Sequence, residues 1–90
     1  MTLEFDESKN QSNISKHKVS FQTAIIFFND PTPDVEFDEG HSCDETRYRG
    51  TFRWNDHYLF VVYTMRGETI RLISARPATR NEIRHYYERN

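Results

Sequence analysis

Arg47-Tyr48-Arg49-Gly50-Thr51-Phe52-Arg53-Trp54 is the stretch that decides the fold. Arg47, Arg49, Thr51 and Arg53 fall on one side of an extended chain, and Tyr48, Gly50, Phe52 and Trp54 on the other. A period of two marks a strand with one face turned to a core. Just downstream, Asn55-Asp56 offers a turn into Tyr58–Met65, a continuous apolar run suited to a central strand. Arg66-Gly67 turns again into Glu68–Arg76, where Ile70 and Leu72 oppose Arg71, Ile73 and Ala75, and Pro77 ends the strand. Consecutive strands with short turns predict an antiparallel meander.

Upstream, Leu3 and Phe5 alternate as a short first strand, and Asp6 can cap a helix that starts at Glu7. Glu7 to His17 is helical in composition yet has Ile14 as its one apolar residue. Ser20 caps a second helix whose stripe is Phe21, Ala24, Ile25 and Phe28. Asn29-Asp30-Pro31-Thr32-Pro33 stops it. Asp34 to Glu45 reads as a short strand through Val35 and Phe37, then an acidic loop with a Gly40-His41-Ser42-Cys43 turn. Thr79 and Glu82 form a capping box for a last helix, with Ile83, Tyr86 and Tyr87 as its buried edge. The expected fold is α+β, in the order β-α-α-β-β-β-β-α. It is a mostly antiparallel sheet with helices packed on one face, and residues 1–90 make one domain.

Charge is divided unevenly along this framework. The first 46 residues hold three lysines, no arginine and ten acids; the remaining 44 hold nine arginines and four acids. Arginine matters here, because its planar fork matches phosphate or carboxylate where an ammonium is a point charge. The near-neutral total of −2 hides a basic half suited to polyanions. The one cysteine, Cys43, rules out an internal disulfide and fits a reducing cytoplasm. No stretch resembles a signal peptide or a membrane span. The three isolated glycines make no phosphate-cradling loop, and neither a helix-turn-helix nor an RNA-recognition aromatic motif is present.

Burying an unpaired charge is costly, so if Tyr48, Phe52 and Trp54 meet the helices, Arg47, Arg49 and Arg53 lie on the open face. Arg71 joins them from another strand, with Arg76 near its end. Such a face suits a phosphodiester backbone. The plain alternative is a solvated face whose arginines pair across strands with Glu68 and neighbouring acids. Lys9, Asn13, Lys16 and His17 share one helix face and would supply a proton-transfer group. Its alternative is a solvated helix end where cations meet the dipole. The acidic stretch with His41 and Cys43 matches no zinc or calcium loop, so no metal is expected. A solvated loop, or an internal screen against the arginines, fits that stretch better.

Several pieces of the chain resemble the BrnT toxins. They are Phe5-Asp6, Lys9, Asn13, Lys16-His17, Val19-Ser20-Phe21, Ala24 and Phe28-x-Asp30-Pro31, then His41-Ser42, Glu45-x-Arg47-Tyr48 and Thr64-x-Arg66-Gly67. The most specific is Ile70-Arg71-Leu72-Ile73-Ser74-Ala75-Arg76-x-Ala78-Thr79-x-x-Glu82, closed by Tyr86. The resemblance implies a RelE-like fold and a ribonuclease toxin of a type II toxin-antitoxin system that arrests translation. RNA would be cut by attack of a ribose 2′-OH on the adjacent phosphate, with no metal or other cofactor. The implied partner is a BrnA antitoxin with a ribbon-helix-helix domain, operator DNA being reached only through it, and no membrane is involved.

Arg47, Arg71 and Arg76 stand on family motif positions and are expected to be catalytic, with Lys16 or His17 assisting proton transfer. Arg49, Arg53 and Lys9 are expected to bind RNA, and Arg80 and Arg84 on the last helix to meet the antitoxin. The alternative is a non-catalytic module that binds RNA or a partner on the same scaffold. The chain departs from the family in three places. Phe5 stands where Trp is usual, Lys18 where Gly is usual, and the Gly often found near Phe52 is missing. A Gly after Lys16-His17 suits a left-handed helix end, so Lys18 either strains that end by roughly 1 kcal/mol or changes the turn.

Overall fold

The computed structural model describes residues 2–39 and 46–89. The His41 and Cys43 turn lies outside the described residues. In chain order the elements are β1 (Thr2–Glu4), α1 (Glu7–His17), α2 (Phe21–Ile26), β2 (Asp34–Phe37), β3 (Thr46–Trp54), β4 (His57–Arg66), β5 (Thr69–Pro77) and α3 (Arg80–Arg89). A single 3-10 turn, Phe27–Asn29, extends α2. The five strands form one sheet in the order β1-β5-β4-β3-β2, antiparallel except where β1 runs parallel to β5. This is the α+β architecture expected. Among the described residues no helix is long and apolar enough to cross a membrane.

The helix starts follow from side-chain caps. Asp6 accepts from the backbone N–H of Ser8 and Lys9, Ser20 from that of Thr23, and Glu82 and Thr79 cap each other reciprocally. Helix α1 ends at Lys18, which adopts the left-handed conformation with φ 62° and donates its N–H to the Ile14 carbonyl. A lysine therefore occupies a geometry that glycine takes without strain.

One sheet face carries the core. Phe21, Ala24 and Phe27 pack onto Phe52, Leu59, Val61, Tyr63, Ile70, Leu72 and Ala75. Burial beside Tyr48 pushes the Tyr63 phenol up to about 12. Gly50 sits in this face next to β2, where a Cβ would stand 2.7 Å from Val35 Cγ2 and 2.8 Å from the Asp34 carbonyl oxygen. Only glycine lets the edge strand approach so closely. Helices α1 and α2 lie on this side, as expected; α3 instead crosses one end of the opposite face. There Tyr86 is buried against Tyr58 and donates to Asp30.

Two further features differ from the sequence expectation. Asn13 is not on a working face: it is buried, accepting from the Ala75 N–H at 3.1 Å and donating to the Ala75 carbonyl at 2.7 Å and the Val19 carbonyl at 2.8 Å. The three-residue β1 covers β5 only from Thr69 to Arg71. Asn13 thus satisfies backbone groups that a longer strand would have paired. Strand β5 also fails to alternate as expected. Leu72 pairs with Tyr63 but Ser74 with Val62, leaving Ile73 as an extra, bulged residue. Ala75 therefore turns inward and is wholly buried, and Arg76 turns outward.

Candidate active site on the open sheet face

The bulge decides which side chains meet. Arg71 and Arg76 are five positions apart, which in a regular strand would put them on opposite faces. With Ile73 extruded, both face the open side, Arg71 opposite Thr64 and Arg76 opposite Phe60. The same face receives Arg47 opposite Thr64, Arg49 opposite Val62 and Arg53 opposite Tyr58 from β3. Four strand arginines predicted from alternation and one from a strand end thus share a surface. Thr64 lies between Arg47 and Arg71, its buried hydroxyl without a hydrogen-bond partner among the described residues.

Carboxylates from the acidic half accompany these arginines. Arg49 Nε lies 2.8 Å from Glu36, Arg47 Nε 3.8 Å from Asp38, and Arg71 3.3 Å from Glu4. The internal screen considered for the acidic stretch is present at Glu36 and Asp38, and Glu4 of β1 adds to it from outside that stretch. Glu68 takes no part in these pairs. Arg53 is held differently, donating to the Asn55 carbonyl at 2.8 Å and lying over the Tyr58 ring.

Arg76 is the most constrained of the set. Its two terminal nitrogens grip Glu82 in a fork at 2.9 and 2.8 Å, and its guanidinium lies 4.4 Å from the centre of the Phe60 ring. The hydrogen bonds that Arg76 donates to Glu82 raise its pKa above the ordinary value. Burial pushes the Glu82 carboxyl up, but hydrogen bonds from Arg76 and the Thr79 N–H, with the Arg76 charge, outweigh it and hold the pKa below its ordinary value. The cap of α3 and the orientation of Arg76 are one device.

Beside them opens a cleft of about 470 Å³, lined among others by Arg49, Thr51, Phe60, Arg76, Asn81 and His85. His85 projects from α3 with its Nδ1 2.5 Å from Asp34 Oδ2. Asp34 is nearly buried, and its other oxygen lies 3.5 Å from Arg89. The hydrogen bond and charge of Asp34 raise the His85 pKa above its ordinary value, against a small lowering by burial and Arg89. Among the described residues, no group of three or more His, Cys, Asp or Glu is placed to hold a metal ion.

The other expected residues are placed elsewhere. Lys9, Lys16 and His17 lie on α1, and no hydrogen bond or ion pair among the described residues joins them to an open-face arginine. Arg80 and Arg84 are exposed on α3, and Tyr87, expected to be buried there, is 53% exposed. His85 and Asp34 were missed. The signal available was the spacing of Glu82, His85 and Arg89 at i, i+3 and i+7, a polar stripe beside the tyrosines.

A family model described as the ribonuclease toxin BrnT of type II toxin-antitoxin systems matches residues 5–82. The chain belongs to the BrnT family. That stretch includes every open-face arginine and the carboxylates that pair with them, apart from Glu4. Membership makes the chain a ribonuclease toxin by family and implies an antitoxin as its partner. No curated protein matches the chain. Of the BrnT resemblance drawn from sequence, the described residues place Arg71, Arg76 and Arg47 on one surface, and leave Lys16 and His17 apart from it.

Proposed function

We propose that the open sheet face binds RNA and cleaves it, without a divalent metal, by attack of a ribose 2′-OH on the adjacent phosphate. The observation that carries this reading is the β5 bulge, which aligns Arg71 and Arg76 with Arg47 and Arg49 on one face. Arg47, Arg71 and Arg76 stabilise the added negative charge of the phosphorane. Arg49 and Arg53 hold flanking phosphates, and Lys9 meets RNA that extends past the sheet edge. Lys16 and His17 act in proton transfer only if RNA reaches that edge.

The carboxylate partners do not argue against binding. Exposed ion pairs contribute about 0–1 kcal/mol, so a phosphate can replace Glu36 or Glu4 at small cost. Arg76 is different, since Glu82 and Phe60 fix its direction before any substrate arrives. A preoriented cation is what a developing charge requires. The neutralising partner is a BrnA-like ribbon-helix-helix protein, contacting Arg80 and Arg84, with operator DNA bound only through it.

Purified protein in chelator should cut an oligoribonucleotide and leave 2′,3′-cyclic phosphate and 5′-OH ends. Arg76→Ala and Arg47→Ala should each lower the rate about 10²–10³-fold. Full cleavage by both variants would remove the assigned chemistry. Salt-sensitive RNA binding with no cyclic phosphate ends would select a non-catalytic binding module instead.

A further inference from the structure

His85 lies in the same cleft as Arg49 and Arg76 and has no role in the chemistry assigned to the arginines. Its Nδ1 is fixed by Asp34, while Nε2 makes no hydrogen bond to a described residue. Asp34 stands at the sheet edge in the row that continues through Thr51 and Phe60 to Arg76. A nearly buried carboxylate thus orients an exposed imidazole (56% exposed against 9%) beside two guanidinium groups. Other proton carriers nearby are engaged. The Tyr86 hydroxyl donates to Asp30, and the Tyr58 and Tyr87 hydroxyls bond each other. Of the other described histidines, His57 opens β4 opposite Trp54 and His17 ends α1.

We propose that His85, positioned by Asp34, is the general acid that protonates the leaving 5′-oxygen when RNA is cut in this cleft. The proposal rests on the ribonuclease reading. His85 itself lies beyond the matched family stretch, which ends at residue 82. In the step, the 2′-oxygen forms its bond to phosphorus and the bond from phosphorus to the 5′-oxygen breaks. The Nε2 proton passes to that 5′-oxygen, and water accepts the 2′-OH proton and later returns one to Nε2. Products are a 2′,3′-cyclic phosphate and a 5′-OH.

The sign of the charge effects suits an acid. Asp34 and Glu88 raise the His85 pKa and Arg89 lowers it, the net being upward. Glu36, Arg49, Arg76 and Glu82 complete the charged lining of the cleft. The net upward shift favours the imidazolium, the form that can donate a proton. Activity that depends on it is full below the raised pKa and is lost as pH rises through it.

The test is kcat/KM against pH for wild type, His85→Gln and Asp34→Asn, on an oligoribonucleotide and on uridine 3′-(4-nitrophenyl phosphate). The nitrophenolate of the second substrate leaves without protonation. Expected for RNA are a wild-type fall at high pH, and a His85→Gln rate about 10²–10⁴-fold lower without that fall. In Asp34→Asn the fall should move to lower pH. On the nitrophenyl ester, His85→Gln should recover most of the wild-type rate. Wild-type rate and profile in His85→Gln would overturn the proposal while leaving the ribonuclease reading intact. Equal losses on both substrates, with a lowered Tm, would also overturn it and make His85 a tether for α3. A wild type that forms no cyclic phosphate would remove the ribonuclease reading and the proposal together.

Discussion

Ala75 and Arg76 are neighbours in β5, yet they belong to two differently built polar clusters. At Ala75, the Asn13 carboxamide completes the backbone with neutral hydrogen bonds, is buried, and has both its oxygen and its nitrogen engaged. At Arg76, charged groups meet at a half-exposed surface; Glu82 holds Arg76 in place, while at Arg49 and Arg71 the carboxylates occupy positions that a phosphate also fits. Neutral, buried and saturated describes a cluster that holds a fold. Charged, accessible and exchangeable describes one that can take a ligand. The two differ in what removal should do, stability in one case and activity in the other.

The largest stability effect is expected from Asn13→Ala. It orphans the N–H and C=O of Ala75, each worth about 1–3 kcal/mol when left unpaired in the interior. Denaturant unfolding should show a loss of about 3 kcal/mol, and a neutral result would remove the distinction between the clusters. Gly50→Ala comes next, at about 1–3 kcal/mol, because a Cβ meets the backbone of β2. Since β2 carries Asp34 and Glu36, this variant should also disturb the cleft, read as a change in both Tm and RNA affinity.

Glu82→Gln separates the charged cluster from the neutral one through pH. The folded pKa of Glu82 is depressed, so its stabilisation is complete above the ordinary carboxylate range and fades as pH falls through the folded value. Wild type should exceed the variant by about 1 kcal/mol at neutral pH, and the gap should close in acid. A gap that persists at the lowest pH would show that the charge is not responsible. Smallest is Lys18→Gly, which relieves a left-handed φ and should add about 0.5–1 kcal/mol without changing RNA cleavage.

Much of the framework was legible because its signals are local. The alternation of Arg47 to Trp54 gave the open face, and Asp6, Ser20 and the Thr79–Glu82 pair gave the helix starts. The bulge was not, because an apolar Ile73 on the Arg71 side of the strand is no turn signal and leaves a regular strand equally possible. Asn13 misled for a similar reason. Its polarity reads as solvent-facing, and its burial depends on β1 being too short to cover Ala75. His85 was hidden by tertiary placement: nothing within α3 says which sheet face the helix crosses. The charge split proved partly self-complementary, with acids of the first half lying on arginines of the second.

Whether RNA meets the open face of the sheet is read from binding of an uncleavable 2′-O-methyl oligonucleotide over a range of salt concentrations. Each phosphate contact contributes about 0.7 to the slope of log K against log salt for a single strand. Arg47→Ala and Arg49→Ala should each reduce the slope by about that amount, while Arg80→Ala and Arg84→Ala leave it unchanged. Slopes that fall only in the α3 variants would place RNA on the helix and contradict the account.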